Sequence, residues 1–236
     1  DTTKINRDKS VLQYDNNCNI DVSSEVDLFG YMRTSGDSKT RNARVRVTNA
    51  ISLEAFKYDV DFLTNKGLYD RAKKQGLDLG DEVKGNNLAQ SEIHQSYYAY
   101  SIAIELDKIG IDDNYDLEIS NEEKAQRVNC LLKTIQHLVR DIKGRRENLA
   151  PKFVIGGLYD FKNLYFDNEL KVNGRKLLVD NIKEILEDDD DIANNTMVGV
   201  KATSFDNVEE IKDKLNAISI GSMFKELETK VNEYYL

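Results

Sequence analysis

The strongest periodic signal in the chain lies at residues 121–142. Ala125, Val128, Leu131, Leu132, Ile135, Leu138, Val139 and Ile142 recur there at helical spacing. The pattern predicts an amphipathic helix over 121–142, with Asn121 as N-cap, Glu122 and Glu123 in the first turn and Gly144 past the end. Elsewhere the period is two. Arg44, Val45, Arg46 and Val47 predict a strand with one wet face. Phe56, Tyr58, Val60 and Phe62, with Asp59 and Asp61 opposite, predict a second strand or an extended arm. SYYAYSIAIEL at 96–106 is apolar on both faces and predicts a strand inside a sheet.

Further along, PKFVIGGLY at 151–159 predicts a strand with a Gly-Gly kink, and Asn173-Gly174 predicts a hairpin within 164–179. A strand is predicted at 196–202, and helices at 180–188, 208–215 and 222–235. Residues 1–27 suggest turns and at most one strand, DLFGYM at 27–32 a compact apolar element, and SGDSKT at 35–40 a loop. The stretch 64–90 reads as a loop or flexible insertion, and the acidic 107–121 as turn and loop. Strand-rich, helix, strand-rich, helix is the order of an α+β fold, with helices on one face of an antiparallel sheet. An RRM-like (ferredoxin-like) core with inserted arms is one concrete form.

Composition adds bounds. The chain has 236 residues, 40% apolar and 32% charged, enough for one large domain or a domain with a sizeable insertion. No apolar run approaches the roughly 18–20 residues that cross a bilayer, so no membrane segment is expected. Cys18 and Cys130 stand alone, without a CxxC pair, as free thiols in a cytoplasmic protein would. No secretory leader is visible, and the chain opens at Asp1 rather than Met, which leaves an upstream targeting segment open.

The net charge of -9 hides a division. Arg33, Lys39, Arg41, Arg44 and Arg46 face only Asp37 in residues 31–50, a local +4. Lys133, Arg140, Lys143, Arg145, Arg146 and Lys152 against Asp141 and Glu147 make 133–152 another +4. Residues 105–123 carry -7 and residues 184–236 carry -8. A polyanion feels the local field, because at about 0.15 M salt screening acts over roughly 8 Å. Guanidinium groups grip phosphate bidentately and stay charged. Alternating on one strand face they stand about 6.6–7 Å apart, near the spacing of nucleotides in an extended strand. Tyr97, Tyr98 and Tyr100 suit either core packing or a base-stacking platform.

Catalytic patterns are missing. His94 and His137 are the two histidines and form no HExxH; GxSxG and GxxxxGK[ST] do not occur; Gly156-Gly157 lacks dinucleotide spacing. EDDDD at 187–191 reads as a solvated run. No catalytic residue, metal or cofactor is expected, so the chain is read as a non-enzyme.

The order DLFGYM, RVRVTNAISLEAF, DVDFLTNKG, a Tyr-rich strand, the helix and NLAPKFVIGGLYDFK resembles one family over about Asp27 to Phe166. It resembles the backbone subunit of type I-B CRISPR surveillance complexes (Cascade), the Cas-seven family, DevR autoregulator subgroup. The resemblance implies an RRM-like palm with inserted finger and thumb elements, here one domain over 1–236 with insertions at roughly 64–90 and 164–195. It implies copies stacked along one CRISPR guide RNA, holding its backbone and presenting its bases to a target DNA strand, as antiviral DNA interference requires. Partners would be neighbouring copies and the large, Cas-five-type and Cas-six-type subunits. The RNA-contacting regions carry over loosely onto Arg33, Lys39, Arg41, Arg44 and Arg46, onto Arg145, Arg146 and Lys152, and onto His94 and Gln95.

Two departures qualify the match. The chain opens at DTTKIN, downstream of the strand-bearing segment with which family members begin, so the numbering is expected to cover part of a native chain. The net charge is negative for an RNA-coating protein, and the acidic stretches, with Asp112, Asp113 and Asp116, are expected to dock on basic neighbours in a head-to-tail filament. Two alternatives stand beside the scaffold. One is a metal-dependent target-RNA nuclease like type III backbone subunits, using Asp37. The other is a transcriptional autoregulator, for which no helix-turn-helix is evident.

Overall fold

The computed structural model describes residues 3–6, 11–14, 18–34, 38–64, 66–76, 88–142 and 144–236. The chain divides into two compact units, Asp1–Ala50 with Tyr100–Leu236, and Ile51–Ala99.

The first unit opens with an antiparallel pair, β1 (Thr3–Asn6) and β2 (Val11–Tyr14). Helix α1 (Ser24–Phe29) follows, with the Ser23 hydroxyl accepting from the Val26 N–H at 3.3 Å. It stops at Gly30, at φ 75°, where an added Cβ would lie 2.2 Å from the Arg41 carbonyl. Only glycine fits that closure. Strand β3 (Tyr31–Arg33) pairs antiparallel with β4 (Lys39–Arg41), and β5 (Val45–Val47) pairs with β10 (Ile102–Ile104). A 3-10 turn at Leu106–Lys108 leads to the short hairpin β11 (Ile111–Asp112) and β12 (Leu117–Glu118).

Helix α3 (Asn121–Gln136) is capped by Ser120, one residue before the expected Asn121, and ends six residues short of Ile142. Val139 and Ile142, which complete the helical pattern, lie instead in β13 (Val139–Ile142), paired with β14 (Arg145–Asn148). β-branched residues and cross-strand ion pairs favour the hairpin there. His137 is the exposed C-cap of α3.

Strand β15 (Phe153–Gly157) pairs antiparallel with β18 (Thr196–Val200), which runs parallel to β19 (Ile218–Ser219). Between them come the Asn173-Gly174 hairpin β16 (Val172–Asn173) and β17 (Lys176–Leu177), then α4 (Asp180–Asp188) and α5 (Asp190–Asn195). The acidic run caps a helix: Asp189 accepts from the Asp191 and Ile192 N–H groups. Helices α6 (Val208–Leu215) and α7 (Ile220–Tyr235) close the unit. The core joins Leu28, Val45, Ile109, Ala125, Val128, Leu132, Phe224, Val231 and Tyr235. Ile102, Ile104 and Val154 pack against it, so strands from two sheets and helices α3 and α7 share one interior.

The second unit holds β6 (Ile51–Ser52) with β9 (Tyr98–Ala99), and a longer antiparallel hairpin of β7 (Asp59–Thr64) and β8 (Leu88–Ile93). Helix α2 (Lys66–Lys74) occupies part of the stretch read as a loop. Phe56 and Tyr58 precede the strand that the alternation suggested, and both are exposed.

The architecture is α+β. The strand over 96–106 does not run unbroken inside a sheet; it breaks at 100–101, and its halves pair with different partners. Among the described residues no helix is long and apolar enough to cross a membrane, and no group of three His, Cys, Asp or Glu could hold a metal ion.

Candidate nucleic-acid interface

The arginines of 31–50 do not form one outward row. Arg33 is 3% exposed and Arg41 5% exposed. Arg33 donates to the Asn19 side chain at 2.9 Å, the Tyr115 hydroxyl at 2.6 Å and the Cys18 carbonyl at 2.6 Å. Its guanidinium lies 4.4 Å from the Tyr31 ring centroid and 5.0 Å from that of Tyr115. Arg41 donates to the Asp27 carboxylate at 2.7 Å and to the carbonyls of Val26, Asp27, Lys108 and Ile111. Fully buried Asp27 also takes Arg127 at 2.9 Å and the Gly110 N–H at 2.9 Å. Lys39 donates to the Asn114 carbonyl at 2.8 Å, with its ammonium 4.0 Å from the Tyr115 ring centroid. Arg33 and Arg41 are committed inward, because each buried charge needs its partners, and the half-buried Lys39 is held by Asn114 and Tyr115. Arg33 and Arg41 in particular are corrected from surface phosphate ligands to internal ties.

Asp112 is buried as well. It accepts from the Tyr31 hydroxyl at 2.9 Å and from the Asn114 N–H at 3.1 Å. Of the acidic trio read as a docking surface, Asp113 and Asp116 alone are exposed. Burial holds the Tyr31 phenol up at about 12; Asp112 raises it too, against the opposing hydrogen bond from Asn114.

Arg44 and Arg46 behave differently. The β5–β10 register sets Val45 opposite Ile104, and the Glu105 N–H donates to the Arg44 carbonyl at 2.9 Å. Period two then sends the Arg44 and Arg46 side chains to one face, toward Glu105. Glu105 is 7% exposed in its side chain, and four cations surround it: Lys162 at 2.6 Å, Arg46 at 3.5 Å, Lys108 at 3.5 Å and Arg44 at 3.8 Å. The Lys162 hydrogen bond, helped by the charges of Lys162, Lys108 and Arg46, holds the Glu105 carboxyl below the usual carboxylate range. One ionised carboxylate against four cations leaves a surplus of three positive charges. Arg46, Lys108 and Lys162 are exposed, and among the described residues the buried Arg44 Nε–H finds no acceptor. The three exposed cations give the cluster both the charge and the access to meet a phosphate.

The sequence pointed to Arg44 and Arg46 but not to Lys108 and Lys162, which join them around Glu105. Lys108 lies in a strongly acidic stretch, though its i,i+3 spacing from Glu105 was a local signal. Lys162 is 57 residues from Glu105, and pairwise spacing could not reveal it.

The second basic stretch is the β13–β14 hairpin. There Arg140 pairs with the half-buried Glu147 at 2.5 Å and Arg146 with Asp141 at 2.8 Å, the other three being exposed, so much of its charge is neutralised across the strands. Arg145 is exposed at the head of β14. Lys152, with Lys201 and Lys212, lines an open cleft of about 730 Å³ beside the start of α7, whose lining includes no member of the Glu105 cluster. In the second unit Gln95 is exposed and His94 Nδ1 lies 2.6 Å from the Tyr98 hydroxyl. Phe56 stacks on Tyr58 and touches His94. Tyr98 and Tyr100 are exposed rather than core. Asp37 lies outside the described residues.

A chain of a solved structure described as a CRISPR RNA-guided surveillance complex, pre-nicking, has the same fold, with a TM-score of 0.58 at 13% identity. The match covers 89% of this chain and 56% of that one, so this chain spans little more than half the relative's length. No curated protein matches the chain. The family model described as CRISPR-associated negative auto-regulator DevR/Csa2 matches residues 1–185. The chain therefore belongs to the DevR/Csa2 family of CRISPR-associated proteins.

Proposed function

We propose that the chain is a backbone subunit of a type I-B CRISPR RNA-guided complex, coating the guide RNA without sequence preference and catalysing nothing itself. The observation that carries this is the cationic cluster at Glu105, where among the described residues four cations meet one carboxylate and leave a surplus of three charges. Such a site takes the phosphodiester backbone and ignores the bases, leaving sequence to guide–target pairing. The family and the likeness to a surveillance-complex chain support the same reading. In it, the first unit with α3 and α7 on its sheets is the RRM-like palm, and Ile51–Ala99 is an inserted element. Copies would load side by side, with Asp113 and Asp116 turned to a basic neighbour, beside the large, Cas-five-type and Cas-six-type subunits.

Native mass spectrometry with a guide-length RNA tests this. Several copies per RNA, with the RNA intact after magnesium addition, is the expected result. Magnesium-dependent shortening of the RNA would replace the scaffold with a nuclease. A chain that stays free of RNA at low salt would remove the assignment.

A further inference from the structure

We infer that the Glu105 site takes an unpaired nucleobase together with its phosphate, and that residues 159–167 supply the stacking face. This rests on the cluster being a phosphate site. The segment follows β15 without regular secondary structure, yet side chains fasten it at three points. The Tyr159 hydroxyl meets Thr196 Oγ1 at 2.7 Å, Lys162 Nζ donates to Glu105 Oε1 at 2.6 Å, and Ser101 Oγ donates to Asp167 Oδ1 at 2.7 Å. Between these ties the apolar side chains turn outward: Phe161 is 49% exposed, Leu164 56% and Tyr165 42%.

Rings of this size dominate core energetics when buried, so a fastened loop that presents them to solvent marks a contact surface. Phe161 and Tyr165 meet edge to face, 6.4 Å between centroids and 82° between planes. That arrangement uses only one ring face and leaves others open, where a parallel stack would close two. Phe161 is the covalent neighbour of Lys162, whose ammonium is part of the cationic cluster. A polyanion with exposed flat apolar faces matches both features, and single-stranded nucleic acid is that polyanion. A duplex hides its base faces, and a simple polyphosphate has none.

The test uses the full chain and a Phe161→Ala/Tyr165→Ala variant, checked for folding by circular dichroism. Fluorescence anisotropy measures affinity for single-stranded oligoadenylate, and competition measures affinity for inorganic polyphosphate. Oligoadenylate affinity should fall roughly 5- to 150-fold, the range for losing one base stacked on one aromatic side chain, while polyphosphate affinity stays unchanged. A Phe161→Tyr/Tyr165→Phe variant should retain wild-type affinity. Equal losses for both ligands, or no loss for either, would overturn the inference. So would a change in self-association by light scattering with RNA affinity intact, which would give the face to a second copy. Wild-type chain that binds neither ligand at low salt would remove the phosphate site itself, a distinguishable failure.

Discussion

Replacing Arg41 by alanine separates an internal tie from a phosphate ligand. The guanidinium bonds the fully buried Asp27 carboxylate and four backbone carbonyls contributed by α1, the 3-10 turn and β11. Removing it leaves Asp27 with Arg127 as its one remaining ionic partner among the described residues and strips donors from those carbonyls. Breaking a buried pair from one side costs about 3–5 kcal/mol, because the remaining charge stays buried. That is a large share of the roughly 5–15 kcal/mol that holds a domain together. In a chain of this length each 1 kcal/mol moves Tm by about 2–4 °C, so Arg41→Ala should melt roughly 6–20 °C lower. Arg46→Ala removes an exposed cation and should cost below about 1 kcal/mol. Thermal unfolding of both variants, followed by circular dichroism, checks the contrast. The reasoning is refuted if Arg41→Ala melts within about 2 °C of wild type while RNA affinity drops.

Other outcomes follow from the same geometry. Glu105→Gln should strengthen RNA binding, measured by anisotropy, because the cluster loses its anion. Since the Glu105 carboxyl is held below its ordinary 4.5, its stabilisation is present above that pH and is lost as pH falls through the lower folded value; urea midpoints of wild type and Glu105→Gln should therefore converge in acid. The Tyr31 phenol is raised from 10.0 to about 12, so its contribution is full below pH 10 and disappears between 10 and 12; urea midpoints of wild type should fall across that window more than those of Tyr31→Phe. Gly157→Ala would put a Cβ 1.8 Å from the Asn195 carbonyl at the end of the β15–β18 ladder and should cost about 1–3 kcal/mol by chemical denaturation. Asp113→Lys/Asp116→Lys should fold normally and load fewer copies per RNA by native mass spectrometry, whereas Asp112→Lys should not fold.

What the sequence revealed was local. The Asn173-Gly174 hairpin, the helices at 180–188 and 208–215 and most of α3 follow from turn chemistry and periodicity within a few residues. What it hid was which side of a charge faces inward. Arg33, Arg41, Arg44 and Arg46 look alike in the sequence, but two lie in a network closed by Asp27, Asn19 and Tyr115, and two converge on Glu105. Their partners are 14 to 82 residues away, beyond any local pattern. The same distance concealed Lys162. The 139–142 segment failed for another reason: its apolar spacing fits a helix, and pairing with 145–148 decided for a strand.

The most direct test of the central claim is the salt dependence of guide-length RNA binding by wild type and by Arg46→Ala/Lys108→Ala/Lys162→Ala. Each phosphate contact on a single strand contributes about 0.7 to the slope of log K against log salt. If the Glu105 cluster holds the RNA backbone, the triple variant should bind more weakly with a slope shallower by about 2. An unchanged slope would contradict the account and return these cations to ordinary surface charge.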